Sequence, residues 1–110
     1  MPDSKRADIE EAALHLFADQ GVDGTSIRQI ADRAGTAEGN IYRHFSGKDE
    51  LVRAIFEACA SRFHEVLRRE ADAHSEPPER LVGLIAGIFV FAAEHPTEFD
   101  YLVSIHRHVL

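Results

Sequence analysis

The stretch from Gly35 to Leu51, GTAEGNIYRHFSGKDEL, restricts the fold more than any other part of this chain. It is too short and too polar for an ordinary amphipathic helix. Ile41 and Phe45 are its only obvious core anchors before a new helix start at Ser46. Upstream, Ile27, Ile30, Ala31 and Ala34 form a second short apolar stripe that Gly35 breaks. A small residue at Ala31 lets two helices approach closely, and Gly35 tolerates the left-handed backbone of a sharp turn. Two short helices joined in this way have the grammar of a helix-turn-helix. The second helix of such a unit lies in a DNA major groove, which explains a polar face whose partner is nucleic acid rather than protein.

The rest of the chain is helical by its periodicity, without strand-like alternation or internal repeats. Ile9, Ala12, Ala13, Leu16 and Phe17 fall at i, i+3, i+4, i+7 and i+8, a stripe that stops at Gly21. Thr25 or Ser26 caps the next helix, and Ser26 with Gln29 fits a capping box. The short polar helix spans about Ala37 to His44. Ser46 with Asp49 repeats the capping pattern and opens a long helix carrying Leu51, Ile55, Ala58, Cys59, Phe63, Val66 and Leu67 to about Ala73. Pro77-Pro78 forces a break, a further helix covers Glu79 to about Glu94, and His95-Pro96 ends it. A last amphipathic segment runs from Phe99 to Val109. The architecture expected is all-α. Residues 1–46 are expected to form a three-helix helix-turn-helix domain, and residues 47–110 a connecting helix and a partial second helical domain.

Composition narrows the function. In 110 residues, 45% hydrophobic content supports a core, and a net charge of −7 opposes indiscriminate coating of nucleic acid. Between Thr25 and Lys48, however, Arg28, Arg33, Arg43 and Lys48 face only Asp32 and Glu38, so any positive face is local. The longest apolar run, Leu81–Ala93, has thirteen residues, short of the roughly 20 that span a bilayer. It is apolar nearly all round and reads as a fully buried helix, an exposed remainder of which would favour self-association. The N-terminus carries no secretory pattern, and the single Cys59 fits a reducing cytoplasm. Seven histidines raise the question of a metal, but His106 and His108 lie two apart on different sides of a helix, and no paired-ligand spacing occurs. No nucleophile elbow, phosphate-cradling loop or other catalytic arrangement is present, so neither an enzyme nor a cofactor is expected.

Residues Gly35–Phe45 followed by Ser46-Gly47-Lys48-Asp49-Glu50-Leu51, with the upstream Gly24-Thr25-Ser26-Ile27-Arg28-Gln29-Ile30-Ala31, resemble the DNA-binding region of the TetR family of bacterial repressors. The resemblance covers roughly Ile9 to Ile55. It implies phosphate contacts from the Thr25 hydroxyl, the Tyr42 hydroxyl and the Lys48 ammonium. Thr36, Glu38, Gly39 and Asn40 occupy the exposed start of the reading helix. Asn40 can pair bidentately with adenine, and Arg43 or Arg28 with guanine, each pair discriminating by roughly 1–3 kcal/mol. Glu38 can accept from a cytosine amino group, or simply favour the helix N-terminus. Gly39 lets the backbone approach the groove floor. His44 can touch phosphate, more strongly when protonated. The resemblance also implies a palindromic double-stranded operator, a homodimer and a small hydrophobic effector, with residues 47–110 as a connecting helix and partial effector-binding and dimerisation domain; the short apolar run leaves no membrane partner expected. Phe63, Leu67, Phe89, Phe91 and Phe99 are as suited to core packing as to an effector pocket. The alternative function is a helical protein-interaction module that uses the Leu81–Ala93 surface and keeps the helix-turn-helix as scaffold.

Overall fold

The computed structural model describes residues 2–105; His106, His108 and the continuation of the last segment to Val109 lie outside the described residues. Among the described residues six helices follow in order: α1 Pro2–Gln20, α2 Ile27–Ala34, α3 Glu38–His44, α4 Lys48–Asp72, α5 Pro77–Glu94 and α6 Pro96–Ser104. Local chemistry sets most of their ends. Gly21 follows α1 with φ 79°, and Gly35 follows α2 with φ 72°, both in the left-handed region that an L side chain rarely enters. Ser26, rather than Thr25, is the α2 N-cap, and its reciprocal bonds with Gln29 complete the expected capping box. At the start of α4 the capping box expected from Ser46 and Asp49 does not form. Gly47 is the N-cap, and Glu50 reaches back one residue further than Asp49 would, accepting the Ser46 N–H at 2.6 Å. That bond holds the Glu50 carboxyl below its ordinary range. Both Pro77 and Pro78 sit in the first turn of α5, and Pro96 opens α6 at its first position, where a missing N–H costs nothing.

One core joins the first half of the chain to the last described helix. Ile9, Ala13, Phe17, Ile30, Ile41, Phe45, Leu51 and Ile55 are buried together with Tyr101 of α6 and Ile105 at its C-cap. Tyr101 stacks on Phe17 with ring centroids 6.3 Å apart and donates its buried hydroxyl to the Val52 carbonyl at 2.9 Å. The molecule measures 52 × 33 × 20 Å, and its radius of gyration of 16.1 Å exceeds the roughly 13 Å of a compact chain this long.

The Leu81–Ala93 segment is not the fully buried helix its composition suggests. Side chains built onto Gly83 and Gly87 would collide with α4, the first placing its Cβ 2.5 Å from the Glu70 carbonyl oxygen. Backbone-to-backbone approach through these glycines therefore makes the α4–α5 contact, with Phe91 as the buried side chain. The large residues are left on the opposite side, where Leu81, Val82, Ile85 and Phe89 are exposed, Phe89 by 71%. Phe91 packs edge-on against Phe63 at 4.9 Å and against Phe99 at 6.4 Å. Among the described residues, no single helix is long and apolar enough to cross a membrane, and no group of three His, Cys, Asp or Glu could hold a metal ion.

Candidate nucleic-acid interface

α3 has seven residues and no side-chain N-cap bond. What fixes it is behind it: Ile41 is fully buried, and Phe45, at its C-cap, is 1% exposed. At 100° per residue, a helix that turns Ile41 inward turns Gly39 and Arg43 outward and Tyr42 to the side; these three are exposed, and so is Glu38, which lies on the Ile41 side but in the open first turn. Tyr42 is 55% exposed, so it is no core aromatic, and its hydroxyl is available to a partner. Asn40 and His44 lie on one flank and are partly covered. The Asn40 amide donates one N–H to the Thr36 hydroxyl at 3.0 Å. That bond orients the side chain and leaves its carbonyl oxygen and second N–H for a base edge. Gly39 has an unstrained backbone, and a Cβ there would meet nothing within 4 Å. The fold itself does not require glycine at this position.

The turn before α3 is a Schellman motif: Gly35 N–H bonds to the Asp32 carbonyl and Thr36 N–H to the Ala31 carbonyl. Two residues at the start of α1 meet the carbonyls that lie beyond this pattern. The Lys5 ammonium donates to the Ala34 and Gly35 carbonyls at 3.3 Å each. Arg6 donates to the His44 carbonyl at 3.4 Å and places its guanidinium 4.5 Å from the centre of the Phe45 ring. Neither residue was found by motif. A signal existed, because cations near a helix N-terminus oppose its dipole, so a Lys-Arg pair there has to be stabilised by something else.

Arg28 is exposed in the first turn of α2, near the α3 face in chain order but on a different helix. Two of the expected phosphate ligands are engaged inside the protein. Thr25 is 2% exposed, and its hydroxyl donates to the Gly21 carbonyl at 2.7 Å. Its hydroxyl proton is engaged there, and Thr25 ties the α1–α2 loop to the end of α1. The neighbouring Ser26 is exposed and uses its oxygen to accept the Gln29 N–H, which leaves its proton to donate outward. Lys48 is half-buried, with its ammonium 2.9 Å from both the Val22 and the Thr25 carbonyls. Two of its three N–H donors hold the loop ahead of α2, and the third remains for an anion.

The family model of bacterial regulatory proteins of the tetR family matches residues 9–55. Over that segment the chain belongs to the TetR family. Curated relatives carry the match further. The HTH-type transcriptional repressor KstR2 of Mycobacterium tuberculosis is 36% identical over 96 residues, which cover 84% of this chain and 46% of the relative. The HTH-type transcriptional repressor Rv3405c of the same organism is 42% identical over 67 residues, covering 61% of this chain and 36% of the relative. The chain thus spans about half the length, or less, of the curated relatives it matches. Among solved structures, a TetR-like transcriptional regulator from Rhodococcus sp. RHA1 superposes with a TM-score of 0.86 at 26% identity, covering 96% of this chain and 59% of that one. A TetR family transcription regulator from Marinobacter aquaeolei VT8 gives the same TM-score at 25% identity, covering 96% and 56%.

The five apolar residues considered for an effector pocket do not line one cavity together. Phe63, Phe91 and Phe99 pack on one another, Leu67 lies under Gly87, and Phe89 points outward. A cleft of about 360 Å³ opens instead between α1, α4 and α6, lined in part by Glu10, Leu14, His15, Ile55, Cys59 and Arg62.

Proposed function

We propose that this chain is a sequence-specific DNA-binding transcriptional regulator of the TetR repressor type. The observation that carries the reading is the division of α3: its inner residues hold the core, while Glu38, Gly39, Tyr42 and Arg43 are exposed. Polar and charged side chains on a rigid helix, with glycine where the fold does not need it, suit a major-groove face. Asn40 and Arg43 would read bases, with Thr36 orienting Asn40 and Glu38 at the helix entrance. Arg28 would reach a base edge or phosphate from α2. Tyr42, His44, Ser26 and the third N–H of Lys48 would contact the backbone. Such a regulator works on operator DNA in the cytoplasm, as a homodimer on a palindrome with half-sites one helical turn apart, roughly 34–36 Å, or a multiple of it. A small hydrophobic effector would release it.

Selection of bound duplexes from a random pool at fixed modest salt tests this reading, because affinity depends steeply on salt. A palindrome or a half-site motif is the expected product, the palindrome indicating a two-fold dimer. Failure to enrich any sequence over a non-binding control would sink the proposal. The exposed apolar residues of α5 favour a second reading, a helical module that binds another protein and keeps α2–α3 as scaffold. Tyr42→Phe separates the two. Loss of the hydroxyl weakens DNA binding across sequences if α3 reads DNA, and changes nothing if it is scaffold.

A further inference from the structure

α3 cannot hold its own direction. Two turns of helix with one buried residue and no side-chain cap are far below the length at which a helix persists alone. Ile41 and Phe45 seat it on the core, and its ends are held as well, since the same turn of α1 reaches both. Lys5 binds the turn entering α3 through the Ala34 and Gly35 carbonyls. Arg6 binds the exit through the His44 carbonyl and covers the Phe45 ring. Asp8 lies 3.9 Å from Lys5, and Glu10 lies 3.6 Å from Arg6, each on the next turn of α1, so both cations are steered from behind. Each cation also sits at the C-terminal, partially negative end of the helix it meets, the favourable end of the dipole.

We infer that Lys5 and Arg6 are positioning residues that clamp the reading helix at both ends, and that neutral side chains there lower DNA affinity without removing a phosphate contact. The functional half of this inference rests on the DNA-reading proposal; the clamp itself does not. The test compares the full 110-residue chain with K5M/R6M, which keeps much of the aliphatic stem and removes both cations, and with the charge-conserving K5R/R6K. Hydrogen exchange at the Asn40, Ile41 and Phe45 amides is expected to be about tenfold faster in K5M/R6M, with the α4 and α5 amides unchanged and K5R/R6K largely restoring protection. Affinity for a duplex recovered by selection is expected to fall about tenfold while the slope of log affinity against log salt stays that of the parent.

Unchanged exchange at α3 overturns the clamp. A slope shallower by about 0.9 per removed cation overturns positioning in favour of direct phosphate contact. If the parent binds no duplex, the DNA-reading proposal fails, and the exchange comparison alone decides the clamp. K5M by itself, which leaves the Arg6–Phe45 contact in place, keeps the comparison open should the double variant unfold.

Discussion

Replacing Lys48 by methionine separates two jobs assigned to one ammonium. Its nitrogen is 2.9 Å from the carbonyls of Val22 and Thr25, which anchors the start of α4 to the loop before α2. A hydrogen bond from a charged donor contributes about 1.5–3 kcal/mol when well buried. Lys48 is only half-buried, and the Val22 carbonyl still accepts the Thr25 N–H at 3.2 Å, so water and this residual bond recover part of the loss. The expected cost of Lys48→Met is therefore about 2 kcal/mol for both bonds together. In a domain near this size, that lowers the melting temperature by on the order of 10 °C. The second job is read from DNA binding well below the melting transition. One lost phosphate contact flattens the salt dependence by about 0.9 in log–log slope. An unchanged melting temperature would show that the two carbonyl bonds do not form in solution. A large thermal loss with the parent's salt slope would leave Lys48 a purely structural strut, and the phosphate assignment would be wrong.

Three further outcomes are expected. Gly39→Ala leaves stability unchanged or raises it by up to about 1 kcal/mol, because the new methyl meets nothing, yet it lowers DNA affinity on the order of tenfold if the α3 backbone seats on the groove floor; binding at parental strength would refute that seating. Gly83→Ala drives a Cβ to within 2.5 Å of the Glu70 carbonyl oxygen and 3.1 Å of the Ala71 Cα. Neither is a side chain that can rotate away, so a net loss of about 1–2 kcal/mol is expected in a urea melt after the helix-propensity gain. The third concerns alkaline pH. Burial, with Glu98 adding to it, pushes the Cys59 thiol from 9.0 up to about 11. The unfolded thiol ionises first, so this stabilisation is complete below about pH 9 and is lost progressively toward pH 11. Burial of Tyr101 shifts its hydroxyl upward as well, extending the loss to higher pH. Melting temperatures that fall over this range in the parent, and less steeply in Cys59→Ala, are the expected result; a flat parental profile would refute it.

Much of the interface was legible because its parts are local. Gly35, the Ser26–Gln29 box and the spacing of Ile41 and Phe45 act within a few residues of themselves, and the structure keeps each. Sequence reasoning failed where a residue's partner is distant in the chain. Nothing near Lys48 announces that the Val22 and Thr25 carbonyls will claim two of its protons, 26 and 23 residues away. Thr25 differs, because its hydroxyl partner, the Gly21 carbonyl, is four residues away and the bond depends on how the loop after α1 folds. The hydrophobicity of the Leu81–Ala93 segment says that it must bury surface, not which face it presents.

The sequence by itself therefore determined the number and kind of helices, their stops at glycine and proline, and the polar face of α3. All of these follow from backbone conformation and side-chain period, which are properties of short segments. Only tertiary structure decided that Lys5 and Arg6 grip α3, that Tyr101 enters the same core as Phe17 and Val52, and that α5 meets α4 through its glycines. These depend on which surfaces come within a few ångströms of one another, and short-range contact between distant segments leaves no periodic trace in the chain.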